Sequence, residues 1–545
     1  MSGRTPTGLE HPYDLIVIGA GINGAGIARD AALRGLRVLV LEQDDIGGAT
    51  SAWNSRLVHG GLRYLEHAEI GLVRESLRDR EILLRTASHL VTPLPLLIPL
   101  YAGQRRGPGL VRMGMLAYDL LSLEKSLPWH RMYDRATLRA IEPSLASEGL
   151  LGAARYYDAQ ATFPERLTLE NLLCARANGA TVYTHARARR VHRTAEGGDV
   201  TGVEIEDRLT GKTSHARSGS VINVAGPWVD HLLGATAAVF PRRIGGTKGT
   251  HIVVPPFPGA PGHALYAEAA QDGRPYFTLP WNGLYLIGTT DTRYDGDPGA
   301  AEATEGEIRY LLEETNRLIP GAGLTRDQVL YAYSGVRPLP YVAAGDTGAI
   351  TRRHLIVDHR DHAPGLWSVI GGKLTTYRHL AEEAIERIGR SRGWPLPPCP
   401  TRHRRLPGAE IPDLETFGRR FAAANGLTPA LAKRLVGLYG VNAEAIAERM
   451  ADDPRLREVF SPQTGAVAAE LIHAFEAEMA ETLTDALMRR TMVGLGPSAG
   501  LDAVEEAARI AGEWLGWDRA REAAEVEGFR AYIARLHPGV APSTG

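Results

Sequence analysis

One stretch limits the possible fold more than any other: "YDLIVIGAGINGAGIARDAALRGLRVLVLE", Tyr13 to Glu42. Its opening apolar run suits a strand buried on both faces, and "INGAGIARDAALRG" suits a helix stopped at Gly35. "LRVLVLE" supplies a second buried strand, so the segment reads as a βαβ unit. Between strand and helix, Gly19, Gly21 and Gly24 keep G-x-G-x-x-G spacing. In such a turn the first glycine permits the bend and the second lets backbone approach a diphosphate. The third lets helix and strand pack closely. The helix N-terminus, where Asn23 lies, offers unpaired N–H groups and a positive dipole end. Glu42, ending the second strand, can accept both hydroxyls of an adenosine ribose and would repel a 2′-phosphate. Glycines often mark turns and nothing more. Strand, helix and terminal acid together point to an adenine dinucleotide, leaving NAD and FAD both open.

A chain of 545 residues is long enough for about two to four domains. A net charge of −2 gives no basic field for nucleic acid. Two cysteines, Cys174 and Cys399, make no disulfide framework and fit a reducing compartment. No apolar run is long enough to span a bilayer, and the opening residues lack a signal-peptide core. Neither an EF-hand, a His/Cys/Asp metal cluster nor a G-x-S-x-G elbow is present, which argues against metal catalysis and acyl transfer.

After the βαβ unit come a Gly/Ser-rich loop and a charged helical stretch. Proline-broken apolar sequence follows from "VTPLPLLIPLY", then the helical "LVRMGMLAYDLLSL". Helix–strand alternation resumes and reaches "GSVINVAGPWVD". Short strands with turn signals then dominate to "YAYSGVRPLP". "GLWSVIGGKLTTYRHL" returns to strand, glycine turn and helix, and an Ala/Glu/Arg-rich helical tail follows a proline-rich linker. The expected division is a discontinuous nucleotide domain (1–92, 150–240, 345–392) and a substrate domain (93–149, 241–344). A linker (393–406) and a helical domain (407–545) complete it. The Gly371–Gly372 turn can aim a second helix N-terminus at an electron-rich flavin ring. It is also ordinary loop chemistry.

Seven segments occur in order: the βαβ unit, "SRLVHGGLRYLEH", "NVAGPWVD", "KGTHIVVP", "LIGTTDTRYDGDP", "YSGVRPL" and "GGKLTTYR". This series resembles the FAD-dependent, quinone-linked glycerol-3-phosphate dehydrogenases, from about Asp14 to Arg378. The resemblance implies an α/β fold: a glutathione-reductase-like FAD-binding Rossmann domain interleaved with an α+β substrate domain of antiparallel sheet. A C-terminal helical cap completes it. It implies oxidation of sn-glycerol 3-phosphate at C2 to dihydroxyacetone phosphate, with electrons passing through FAD to ubiquinone or menaquinone. Peripheral association with the inner face of the cell membrane is expected, and a homodimer is compatible with it. Glycerol-3-phosphate oxidase, passing electrons to oxygen, shares the motifs. A non-catalytic flavoprotein scaffold or redox sensor is the more distant alternative.

Beyond the glycine turn and Glu42, the resemblance places FAD along Thr50, Ser51, Ser55, Arg56, Leu57, His59 and Gly60. It adds Ala225, Gly226, Gly372, Lys373, Leu374 and Thr375. Many members carry Lys where this chain has Arg56, and the two cations differ in shape. A dianionic substrate calls for two or more cations, and alkoxide charge calls for another nearby. Arg63 leads for the anion, with Tyr64 beside it, and Arg337 and Lys373 converge from other motifs. Arg274 is either a phosphate ligand or a solvated turn residue. The hydroxyl proton needs an acceptor. His251 and His59 compete, with His251 favoured for the base and His59 for support beside the flavin. The helix "RRGPGLVRMGMLAYDLLSLEK" is either a membrane contact or a buried substrate-domain helix.

Overall fold

The computed structural model describes residues 9–66, 69–194, 198–236, 238–343, 350–411 and 413–537, without the side chains of residues 63 and 66. The strand Leu15–Ile18 is wholly buried and lies inside a six-stranded sheet. The order is Leu355–Asp358, Leu366–Ile370, Val221–Asn223, Leu15–Ile18, Val38–Leu41, Thr181–Tyr183. All neighbours are parallel except the edge pair, where Leu355 faces Ile370. Burial on both faces explains why these strands read as unbroken apolar runs. Helices Ile22–Leu33, Pro164–Ala177 and Tyr377–Arg392 cover one face through one core. Antiparallel strands Ala186–Arg193, Val200–Asp207 and Thr213–Arg217 cover the other.

A large mixed sheet forms the second layer system. The strand Thr247–Val254 pairs antiparallel with Leu284–Gly288 on one side and Tyr331–Arg337 on the other. Further out, Val91–Tyr101 pairs with Leu150–Ala161 from Val91↔Ala161 to Tyr101↔Leu150. This register moves one expected boundary. Residues 150–161 belong to the substrate-side sheet, not to the nucleotide domain, and so does the short strand Leu57–Val58. The cause is that Leu150–Ala161 lies inside the sheet and is mostly buried along its length, so no alternation sets it apart from a parallel-sheet strand.

The C-terminal part carries helices from Leu414 to Ala534, with a small hairpin of Val459–Ser461 and Ala466–Val467 that periodicity did not indicate. The segment expected as a linker is packed: the Arg404 and Arg405 carbonyls accept from buried Arg29 at 2.7 and 3.2 Å. Buried ion pairs tie the helical part to the nucleotide domain. Arg490 forks onto both oxygens of Asp45 at 2.7 Å, and Arg166 reaches Glu478 at 2.6 Å. Such pairs add orientation more than stability, because desolvation offsets their attraction.

Candidate active site

A cleft of about 1250 Å³ runs from the first glycine turn to Arg337 and Lys373. Its floor needs the glycines. Gly19 has φ +108°, and a Cβ on Gly24 would lie 1.9 Å from the Gly19 carbonyl oxygen. The helix therefore starts against the turn at a distance only glycine allows. The Ile22 N–H donates to Ser51 Oγ at 2.9 Å, which brings the Thr50–Ser55 loop to the helix N-terminus. Thr50 Oγ1 donates to the Val336 carbonyl at 2.7 Å, fastening the same loop to the strand that carries Arg337.

At the second strand's end, Glu42 accepts from the Ala20 N–H at 2.7 Å and the Asp44 N–H at 3.0 Å. Burial pushes its carboxyl up to about 7. The two glycine turns meet here as well. Asn23 Nδ2 donates to the Gly371 carbonyl at 3.3 Å, while a Cβ on Gly372 would fall 2.6 Å from that Nδ2. Asn23 Oδ1 is buried without a hydrogen-bond partner. A bare glycine cradle, a waiting carboxylate and an orphaned acceptor at one helix end fit an adenine dinucleotide with its diphosphate over Gly21. Ala225, Gly226 and Leu374 also line the cleft.

The remaining sequence-derived residues divide. Arg337 and Lys373 reach the cleft. Arg337 Nη1 donates to Asp291 Oδ1 at 3.0 Å and Nη2 to Thr289 Oγ1 at 3.2 Å. Lys373 Nζ lies 3.8 Å from the Tyr64 ring centroid, a cation–π contact, and 3.3 Å from Ser76 Oγ. Arg63 opens the helix Arg63–Glu66, and its side chain lies outside the described residues.

Arg56 does not come to the cleft. Its side chain is fully buried, forks onto Glu165 at 2.9 and 2.8 Å, and stacks on Trp281 at 4.4 Å. Its backbone sits at φ +56°. As a cofactor contact Arg56 is therefore replaced by a structural tie, because an internal carboxylate claims its fork. Leu57 packs in the core beside it. His59 and Thr375 hold one another: Thr375 Oγ1 accepts from the His59 N–H at 3.0 Å and donates to its carbonyl at 3.2 Å.

His251 lies beneath the cleft wall, stacked on Tyr333 with centroids 5.1 Å apart. Its Nε2 meets Ser55 Oγ at 2.9 Å, and its Nδ1 is buried without a partner. Burial first, then the charges of Arg337 and Arg56, holds this imidazole well below its ordinary value, so it is neutral near pH 7.

Asp291 gathers the cations. Arg352 Nη2 donates to its Oδ2 at 3.3 Å, beside Arg337, and Arg274 Nη1 donates to its carbonyl oxygen. Burial works to raise the Asp291 carboxyl, but the Arg337 and Arg352 charges prevail and hold it below the usual carboxylate range. Arg352 was not indicated by the sequence. It is nearly buried, and its Nη1 has no hydrogen-bond partner. No group of three or more His, Cys, Asp or Glu among the described residues could hold a metal ion.

Comparison with known proteins agrees with this geometry. Residues 14–378 match the model of the FAD dependent oxidoreductase family, and residues 399–522 match the C-terminal domain of alpha-glycerophosphate oxidase. The chain is 44% identical over 532 residues to a glycerol-3-phosphate dehydrogenase of Synechocystis sp., covering 96% of each. It is 32% identical over 490 residues to the aerobic glycerol-3-phosphate dehydrogenase of Staphylococcus aureus, covering 88% of this chain and 86% of that one. The crystal structure of the Bacillus halodurans glycerol-3-phosphate dehydrogenase complexed with FAD superposes with TM-score 0.79. It covers 98% of this chain and 96% of that one at 28% identity. The L-alpha-glycerophosphate oxidase of Mycoplasma pneumoniae shares the fold, with TM-score 0.56 over 72% of this chain and 98% of that one at 17% identity. A diphosphate cradle joined to a cation-lined pocket, together with these matches, makes the chain a member of the FAD-dependent glycerol-3-phosphate dehydrogenase family.

Proposed function

We propose that the protein oxidises sn-glycerol 3-phosphate at C2 to dihydroxyacetone phosphate and passes the electrons to a membrane quinone. The observation that carries this is that Arg337 and Lys373, from motifs joined by the Gly371 N–H donating to the Pro338 carbonyl at 2.8 Å, both line the dinucleotide cleft. A dianionic phosphate ester needs such convergence, and a scaffold has no use for it. Bound FAD supplies a hydride acceptor.

The chain's own residues then bind and orient. Lys373, stacked over Tyr64, engages the substrate from one side, and Arg63 is the sequence-derived candidate to join it. Arg337, held on Asp291 beside Arg352, engages the substrate from the other. The hydroxyl proton passes toward His251 by way of Ser55, whose Oγ stands 2.9 Å from Nε2. A neutral imidazole is the form that can accept it. Substrate charge near Arg337 offsets one of the two cations that depress this histidine, so its basicity rises on binding.

The membrane link rests on the helix Pro108–Leu120. Leu110, Met113, Leu116 and Leu120 are about half or more exposed, at 55%, 66%, 48% and 52%, and their spacing puts them on one face. Leu123 and Trp129 extend the patch, and exposed Arg105 and Arg112 flank it. The opposite side of the helix (Val111, Met115, Tyr118) is buried, which leaves the exposed face for the membrane reading. An apolar face edged by arginines suits an interface rich in anionic lipid. Among the described residues no helix is long and apolar enough to cross a membrane. Association is therefore read as peripheral, on the cytoplasmic face where quinone is reduced.

Anaerobic mixing with sn-glycerol 3-phosphate should bleach the flavin absorbance. No bleaching refutes the substrate assignment. Reoxidation by a quinone analogue much faster than by air supports the dehydrogenase, and the reverse order supports the oxidase.

A further inference from the structure

The peptide at His59–Gly60 is held by two separate clamps. Thr375 grips His59, as described above. From the other side, the Gly60 N–H donates to the Tyr118 phenol oxygen at 2.9 Å and more weakly to Asp158 Oδ1 at 3.3 Å. The phenol hydrogen goes to the Asp158 carboxylate at 2.8 Å, and Arg80 Nη1 donates to the same carboxylate at 2.6 Å. All three side chains are buried. The approach is close, since a Cβ on Gly60 would lie 2.4 Å from the phenol oxygen. Burial, then the Asp158 charge, pushes the Tyr118 phenol well above its ordinary value, so it stays a protonated donor.

Tyr118 lies on the helix Pro108–Leu120, whose far face is the exposed apolar stripe. Its near face shares a core with Leu57, Val73 and Leu77, which surround the same loop. One rigid helix thus carries an uncovered apolar surface on one side. On the other it carries a hydrogen bond to the loop that leads into Arg63 and Tyr64.

We propose that Tyr118 is a positioning residue for the substrate loop, and that through it the exposed face of its helix is coupled to substrate binding. The proposal rests on the reading of the cleft as a glycerol 3-phosphate site and of the stripe as lipid-facing. A bilayer that holds the helix holds Gly60 in place. Coupling of this kind is reciprocal, so a ligand that orders the loop strengthens lipid binding by the same factor.

The test compares FAD-loaded wild type with Tyr118→Phe, with and without vesicles of phosphatidylethanolamine containing a quarter phosphatidylglycerol. In wild type the vesicles lower KM by about fivefold or more, and saturating dihydroxyacetone phosphate strengthens vesicle sedimentation. The phenylalanine variant keeps its flavin spectrum and its ligand-free sedimentation. Its KM rises about five- to tenfold with kcat little changed, and vesicles no longer lower it. Met115→Ala, on the same buried face, removes packing without touching the hydrogen bond. It should lower the melting temperature while the vesicle effect on KM persists. A Tyr118→Phe enzyme with wild-type KM and wild-type vesicle response overturns the proposal, whatever its melting temperature. If wild type is not bleached by the substrate, or does not sediment with vesicles, the failure lies in the reading beneath it, and the coupling falls with it.

Discussion

Replacing Arg337 by alanine removes the cation that lines the cleft between the dinucleotide cradle and Asp291. Its guanidinium packs against the bare backbone of Gly249, where a Cβ would come within 2.1 Å of Nη2. It is 26% exposed, so its field reaches the cleft with moderate screening. One charge pair at about 4 Å is worth about 4 kcal/mol at an effective dielectric constant near 20. Partial exposure and the neighbouring Asp291 charge reduce that to roughly 2.5–3 kcal/mol. At about 1.4 kcal/mol per decade, flavin reduction at low substrate should slow about 100-fold. Stability should change little, about 1 kcal/mol, because Asp291 keeps Arg352 at 3.3 Å and Arg274. FAD content should not change, since the glycine cradle and Glu42 are held by their own hydrogen bonds to Ser51, Gly371 and Ala20. The assay is anaerobic rapid mixing over a range of sn-glycerol 3-phosphate, with the flavin-to-protein ratio taken from absorbance. Reduction within about threefold of wild type would refute the assignment, and so would loss of activity in step with loss of FAD.

Other consequences follow from the cradle and its supports. Gly24→Ala forces a methyl into the Gly19 carbonyl, so the purified protein should carry little FAD and recover little on incubation with it. A full flavin complement would count against the cradle. Because Glu42 binds a proton more tightly in the folded protein than in the unfolded chain, the FAD-free protein should lose stability as pH rises from about 4.5 to about 7. Glu42→Gln should flatten that slope in a melting series; an equally steep slope would mean another group is responsible. Arg56→Ala strands Glu165 in the interior and should cost about 3–5 kcal/mol, measured by denaturant unfolding. A small cost with selective loss of FAD would return Arg56 to the cofactor.

The features legible in the sequence were those whose chemistry is local. The "GAGING" turn was legible because strand, glycines and helix follow one another in one short stretch, with Gly24 set against the Gly19 carbonyl. The Gly371–Gly372 turn was legible for the same reason. What escaped depended on distant pairing. Arg352 meets Arg337 only because both reach Asp291 from separate segments of chain. The fate of Arg56 depended on Glu165, 109 residues away, which nothing near "NSRLVHGG" announces. The pairing of Leu150–Ala161 with Val91–Tyr101 is not legible, because a strand buried along most of its length gives no alternation to read. Docking of the C-terminal helices through Asp45 and Arg490 was invisible too, since a buried ion pair looks in sequence like two surface charges.

The central claim is that hydride leaves C2 of sn-glycerol 3-phosphate for FAD in this cleft. The most direct measurement is anaerobic rapid mixing with substrate deuterated at C2, compared with the unlabelled compound. The account predicts bleaching by both, slowed severalfold by deuterium at saturating substrate. Bleaching that the label leaves unchanged, when the reductive step itself is observed, would contradict it.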